Sequence, residues 1–364
     1  MSHLCILPMK PDPRPGGHEH ATHRRVAERI AALLSLPFAG ECDPGATVGP
    51  GHCVVPDDTL VSLASAHALG IRSEADLFGG VVPFAYMATK TISHALVSGA
   101  AVAPQGWTAS FGERVRGVVL PGYSAFAMDD ALQAGEDLLR DGAVRIKKAA
   151  GIGGGGQAVA SDPRQLRDTL EAFGAEGAWR DGVVLERNLR DVVTHSVGQV
   201  VLGGMRVSYC GVQHLTRNHH GHEVYGGSRL RLVRGDYDDL LRRDIAPDVH
   251  LAIQQARDYH RAAFECFDGM FASRCNYDVA QGLDETGRRV SGVLEQSWRI
   301  GGASGAEIAA LEAFRADPTR DTVCASTTEL YDAAPPIPSG AVIAFSGIDE
   351  RVGAITKYSC IEAD

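Results

Sequence analysis

The sequence predicts an α/β (α+β) protein: a small N-terminal α/β domain, a mobile lid with a glycine flap, and a C-terminal part rich in antiparallel strands. Three observations carry this. Short apolar segments alternate with helical patterns over the first 88 residues. Residues 117–188 read as β-α-β-loop-β-α-β, and their loop is the glycine end of Val144-Arg-Ile-Lys-Lys-Ala-Ala-Gly-Ile-Gly-Gly-Gly-Gly156. From His195 to Leu232 the pattern turns to successive antiparallel strands at 196–202, 205–212 and 224–233.

In chain order, a strand at Leu4–Leu7 precedes a helix from Thr22 to about Leu36, whose Val26, Ile30, Leu33 and Leu34 recur near helical spacing. A Gly/Pro-rich loop, 37–53, leads to Val54-Val55 and a helix at Leu60–Leu69 that Gly70 caps. Residues 89–116 link this domain to the lid, with a helix at Ala88–Ser98 and a strand and turn at 102–107. The lid, 117–188, starts with a strand at Val118–Pro121. It then carries an amphipathic helix at Asp129–Arg140, a strand at 143–148, a helix at Asp162–Phe173 and a strand at Val183–Glu186. The remainder, 189–364, adds a helix at Asp248–Phe267, strands at 275–281 and 290–299, a helix at Glu307–Phe314 and a strand at Ala341–Phe345.

With 364 residues the chain has room for two or three domains. A net charge of -10 argues against a nucleic-acid partner, which would call for a basic surface. Cysteines at 5, 42, 53, 210, 266, 275, 324 and 360 include no CxxC pair, so neither a zinc knuckle nor a disulfide scaffold is expected. The apolar start is too short and broken for a signal peptide, and no run approaches membrane-spanning length. The expectation is a cytoplasmic protein acting on small molecules, with no membrane partner.

The chemistry concentrates in two places. Five glycines within six positions, 151–156, let backbone N–H groups approach an anion with no Cβ in the way, and the preceding lysines add positive charge. A flap over a polyphosphate would be built this way; a surface turn beside solvated lysines would look the same in isolation. Strand alternation sets Arg145 and Lys147 on one face and Ile146 and Lys148 on the other; Lys147, which continues the Val-Arg-Ile-Lys strand, is favoured as the phosphate ligand, with Lys148 as the alternative.

The second place is the hairpin around Asp284-Glu-Thr-Gly287. A turn near Thr286 and Gly287 sets Asp278 roughly opposite Glu295, with Ser297 and Arg299 on the same face as Glu295 and Asn276 on that of Asp278. Two adjacent carboxylates repel and call for a cation. Magnesium takes oxygen ligands of this kind together with substrate phosphates, and the Arg299 fork suits a phosphate oxygen. A solvated polar hairpin face is the plain alternative. A His-rich stretch, His214 to His222, precedes Tyr225-Gly-Gly-Ser-Arg229. It reads as a solvated loop, as a substrate loop using His222, Tyr225 and Arg229, or as a transition-metal site.

From Thr89 to Gly302 these motifs resemble the ATP-grasp superfamily of biotin carboxylase and D-alanine–D-alanine ligase. The full pattern, with Asp76–Pro83, Leu120–Phe126 and Leu294–Ser304, is similar to an uncharacterised bacterial ATP-grasp-like family. The resemblance implies that Thr89-Lys90-Thr91 opens the first core helix, that Lys147 or Lys148 and Gly153, Gly154, Gly155 and Gly156 cover ATP phosphates, and that Glu186, Arg187 and Leu189 lie in the hinge around the adenine. His195 falls where a ribose-contacting histidine stands, and Asp278, Glu295, Ser297 and Arg299 match the Mg2+- and phosphate-binding set. Two positions depart from the pattern: Ser297 replaces the usual Asn, and Thr89 the usual Asp.

The implied activity is an ATP- and Mg2+-dependent ligase that joins a carboxylate to an amine or thiol through an acyl phosphate, with Lys147 and Arg299 offsetting charge on the γ-phosphate. A small-molecule kinase and a non-catalytic ATP-binding regulator are the alternatives. A homodimer is the assembly such relatives often form.

Overall fold

The computed structural model describes residues 2–9, 16–43, 45, 47, 49, 51–149, 151 and 156–362. At the N-terminus, β1 (Leu4–Leu7), α1 (His18–Leu34), β2 (Phe38–Glu41) and β3 (Cys53–Pro56) make a three-stranded parallel sheet in the order β2-β1-β3, with α1 packed on it. Then follow β4 (Leu60–Val61), α2 (Leu63–Ala68) and β5 (Gly80–Val82). The expected helix at Leu60–Leu69 therefore loses its first residues to a strand, while Gly70, at φ +89°, follows it in the left-handed conformation as anticipated.

The expected helix at Ala88–Ser98 is replaced by two 3-10 turns, Ala85–Ala88 and Lys90–Ser93. An α-helix would need the carbonyls of Met87 and Thr89 for its own ladder. Both instead accept from Gln296 Nε2, at 2.6 and 2.9 Å, and the Thr91 carbonyl accepts from Ser124 Oγ at 2.6 Å. Thr89 Oγ1 further competes by accepting from the Thr91 N–H. Helix α3 (Ala109–Val115) follows. Residues 102–107 form no strand.

Residues 122–187 hold β6 (Gly122–Ala125), α4 (Met128–Leu139), β7 (Val144–Lys148), β8 (Gln157–Ala160), α5 (Pro163–Ala175) and β9 (Val183–Arg187). Their four strands pair antiparallel in the order β6-β9-β7-β8. Val144, Ile146 and Leu185 face α4 and α5 and share a core with Ala134, Leu166 and Leu170. Asp162 caps α5 by accepting from the N–H groups of Arg164 and Gln165, and Pro163 occupies its first turn. The strand expected at Val118–Pro121 is an extended link with one bridge, Val119 to Val293. Pro121 has no N–H for a ladder, and pairing begins just after it.

The rest of the chain forms one eight-stranded antiparallel sheet. Its strands are β10 (Arg190–Leu202), β11 (Met205–Arg217), β12 (Glu223–Arg234), β14 (Arg274–Leu283), β15 (Arg289–Ser297), β16 (Thr322–Leu330), β17 (Val342–Asp349) and β18 (Gly353–Ile361), in the order β15-β14-β10-β11-β12-β16-β18-β17. A short β13 (Phe271–Ala272) pairs with β5 and ties the N-terminal part to it. Helices α6 (Tyr237–Leu241) and α7 (Pro247–Cys266) lie on one face, where Tyr259 and Ala256 pack with Val197, Tyr277 and Val279. Helix α8 (Ser304–Ala316) and α1 lie on the other, with Phe314 and Ile30 against Val200, Val207, Leu230 and Leu232. No described helix is long and apolar enough to cross a membrane.

The seam between residues 118–121 and the main sheet is close. A Cβ on Gly292 would lie 2.4 Å from the Leu120 nitrogen and 2.5 Å from the Val119 carbonyl carbon. Gly292→Ala must push backbone from backbone, so it is expected to cost about 1–3 kcal/mol. Urea unfolding reads this as a lowered midpoint with an unchanged native far-ultraviolet spectrum; a midpoint equal to wild type would show that the seam is not a tight contact.

Candidate functional site

The hairpin β14–β15 closes through a side-chain-stabilised turn. Asp284 Oδ1 accepts from the N–H groups of Thr286 and Arg288, both at 3.0 Å, and Gly287 takes φ +81°. The resulting register sets Asp278 directly opposite Glu295 and Asn276 opposite Ser297. Asp278 Oδ1 accepts from Gln213 Nε2 at 2.8 Å and from Asn276 Nδ2 at 2.9 Å. Burial and the Glu295 carboxylate push the Asp278 carboxyl up to about 6, against the pull of these two amides. The pair is thus held in place and short of positive charge.

Among the described residues, Lys90 pairs with it. Lys90 Nζ lies 2.9 Å from Glu295 Oε2 and also donates to the carbonyl of Gly151, at the start of the glycine run. Gln296, on the opposite side of β15 from Glu295, holds the Met87 and Thr89 carbonyls and so fixes the turn that presents Lys90. Gly156 lies beside Lys148 with φ +71°; Gly153, Gly154 and Gly155 lie outside the described residues.

On the four-stranded sheet, Lys147 and Glu186 form a buried pair at 2.5 Å on the face away from α4 and α5. Glu186 is 1% exposed. Burial pushes its carboxyl up, but the Lys147 ammonium outweighs this and holds it at about 2. His94 stands 3.6 Å from Glu186, and neither of its buried ring nitrogens has a hydrogen-bond partner among the described residues. Lys148 points the other way, over the Phe173 ring at 4.6 Å and onto Glu176. Leu189, just after β9, packs with Leu120 and Ala280, bordered by Val290 and Leu294. Ala280 shares its face with Asp278, so this apolar patch adjoins the carboxylates. Arg187 extends to Asp141 at 2.7 Å.

Other expected members are placed elsewhere. His195 is in register with Val279, one residue out of phase with Asp278, so it faces α7 rather than the carboxylates. Burial pushes its imidazole pKa down, and Gln281 hydrogen-bonds it there. Arg229 shares that far face and pairs with Glu362 at 3.1 Å. His222 stands exposed at the tip of the β11–β12 hairpin, where Asn218 Oδ1 accepts from its N–H. Among the described residues no group of three or more His, Cys, Asp or Glu side chains could hold a metal; His214 lies in β11, and His219, His220 and His222 in the β11–β12 turn. Tyr225 does lie on the Asp278 face, its hydroxyl bonded to Ser228 at 2.7 Å.

Ser297 Oγ accepts from Arg274 Nη1 at 3.1 Å, so a guanidinium already occupies the oxygen expected to assist a metal. Arg274 is itself fixed by the buried Glu307 at 2.8 Å. Arg299 reaches Asp58 at 3.6 Å. Sequence reasoning missed Gln213, Gln296, His94 and the Arg274–Glu307 pair. The only local signal was alternation, which puts Gln296 and Glu295 on opposite faces but names no partner.

The candidate site thus gathers the opposed Asp278 and Glu295, Lys90 between Glu295 and Gly151, the buried Lys147 and an apolar patch. The family model described as "Protein of unknown function (DUF3182)" matches residues 6–359. The chain belongs to this DUF3182 family. No curated protein matches it. Among solved structures, the DUF3182 chain is similar to carboxyaminoimidazole ribonucleotide synthase from Aspergillus clavatus complexed with ATP, at TM-score 0.51 and 12% identity over 99% of this chain and 94% of that one. It is also similar to phosphoribosylamine–glycine ligase from Thermotoga maritima, at 0.51 and 14% over 100% and 92%. A third is the ADP complex of an N5-carboxyaminoimidazole ribonucleotide synthetase, at 0.50 and 11% over 100% and 93%. These are ATP-grasp enzymes, and the DUF3182 chain has their fold.

The Lys147–Glu186 pair makes stability depend on acid. The folded carboxyl titrates at about 2, below its ordinary 4.5, so its contribution is full above pH 4.5 and is lost as pH falls toward 2. Glu186→Gln is therefore expected to be less stable by a gap of about 3 kcal/mol at neutral pH, closing only in that acid window. A pH series of urea midpoints checks it; a gap that persists unchanged at pH 2 would show that the pair contributes no such acid dependence.

Proposed function

We propose that this chain is an ATP- and Mg2+-dependent ligase that activates a small-molecule carboxylate for attack by an amine or a thiol. The observation that carries the reading is the meeting of Lys90, Glu295 and the Gly151 carbonyl beside the opposed Asp278. Lys90 here holds the place of a cation, and the donor set is two carboxylate oxygens, which suits Mg2+. Asp278 and Glu295 would hold the metal, which when bound supplies charge neutralisation for phosphoryl transfer.

The chain's own residues then divide the work. Lys90 and Lys147 attract and orient phosphate oxygens. Backbone N–H groups of the run ending at Gly156 cover them and exclude water from the activated acyl group. Glu186, Arg187 and Leu189 border the base, with the Leu120, Ala280 and Leu294 patch beneath it. Gln213 and Asn276 hold Asp278 oriented, while Tyr225 and Ser228 continue the same face toward the acceptor. Arg299 must leave Asp58 to reach a phosphate, so its role is tied to closure against the N-terminal part. His195, Lys148 and Arg229 have no part in the nucleotide or acceptor set.

Saturating Mg-ATP at ~100 times its Kd is expected to stabilise the wild type by about 2.7 kcal/mol. The shift in thermal midpoint should shrink in Lys147→Ala. Release of ADP in the presence of carboxylates and amines should be abolished in Glu295→Gln. A folded wild type whose midpoint does not move would end the nucleotide reading, and undiminished ADP release by Glu295→Gln would end the metal assignment.

A further inference from the structure

We propose that the chain carries a second ligand site, for a small phosphate-bearing molecule with a planar ring, in the cavity between α6, α7 and the start of β11. The cavity has a volume of about 320 Å3. It lies on the sheet face turned away from Asp278: Gln199, which lines it, pairs in register with Cys275, whereas Asp278 pairs with Ser196, three residues away on the same strand.

One wall is aromatic. The Tyr237 and His260 rings lie 5.4 Å apart and those of His260 and Phe264 4.4 Å apart. His260 is fixed from behind, its Nδ1 2.8 Å from the Tyr277 hydroxyl, which also accepts from Trp298 Nε1 at 3.2 Å. Burial pushes the His260 imidazole down to about 4, so at neutral pH it is an uncharged ring surface. The wall is thus rigid before any ligand arrives, which reduces the ordering cost of binding.

The polar groups point to an anion. The carboxylates around the cavity are already engaged. Asp236 accepts from the N–H groups of Asp238 and Asp239, Asp238 holds Arg257 at 2.7 Å, and Glu265 holds Arg114 at 2.5 Å. Arg206 and Arg261 also line the cavity, and neither guanidinium has a hydrogen-bond or ion-pair partner among the described residues. Two uncommitted guanidinium forks match phosphate oxygens, and the ring wall matches a planar group stacked beside them.

Calorimetric titration of the full chain with AMP and with inorganic phosphate tests this. AMP is expected to bind saturably, and inorganic phosphate at least tenfold more weakly because it leaves the ring wall unused. Arg206→Ala combined with Arg261→Ala, both exposed positions, should weaken AMP at least tenfold. Lys147→Ala, at the nucleotide site, should leave the binding intact, which separates this site from the proposed ATP site. The proposal is overturned by a wild type that binds no AMP into the millimolar range, by a double-arginine variant of unchanged affinity, or by binding that disappears in Lys147→Ala. Equal affinity for the two probes would overturn the ring-stacking part.

Discussion

The organisation of the candidate site rests on one unfavourable contact, the facing of two carboxylates across β14 and β15. A sheet fixes the separation of opposed side chains, so Asp278 and Glu295 cannot relieve their repulsion by moving apart. Amide donors from Gln213 and Asn276 lower the cost for Asp278, yet its carboxyl remains raised to about 6. A mobile cation is the remaining remedy, and Lys90 provides one at 2.9 Å. The geometry of everything nearby follows from delivering that lysine. Gln296 and Ser124 break a helix into two turns so that Lys90 meets both Glu295 and the beginning of the glycine run.

Lys90 joins Glu295 to the start of the glycine run, so the hairpin and that run are coupled through one side chain. On the lid, Lys147 is held differently: its partner Glu186 is buried and ionised, so this lysine is positioned by the fold rather than by the ligand. Lys147 thus has a fully buried partner, whereas the partner of Lys90 is half-buried.

Much of this was legible in the sequence because strand alternation is a strict rule. The hairpin residues Asp284 and Gly287 set the register, and the register set Asp278 against Glu295. The same rule separated Lys147 from Lys148. Strands β16 and β18 were not legible, since their buried positions include Thr327, Thr356 and Ser359 and no apolar alternation marks them. The helix expected at Ala88–Ser98 failed for a reason that no local pattern contains: its carbonyls are taken by Gln296, more than two hundred residues away. His195 and Arg229 were misplaced because motif spacing fixes a strand but not its face, and both turn toward the side opposite the carboxylates.

The polar strands missed in the sequence also shape the site. Gln213, Ser228 and Thr327 follow one another across β11, β12 and β16 on the Asp278 face, where an ordinary sheet would carry apolar side chains. Tyr225 closes this row, bonding Ser228 while its ring leaves no room for a side chain at position 302: a Cβ on Gly302 would lie 2.7 Å from it. Backbone at the end of β15 therefore rests directly on the tyrosine, so the position of Arg299 is tied to β12 as well as to the hairpin. A face built from mutually bonded hydroxyls and amides contributes less hydrophobic stabilisation than an apolar one. Its side chains instead hold donors and acceptors at fixed positions, as Gln213 does toward Asp278 and Tyr225 toward Ser228.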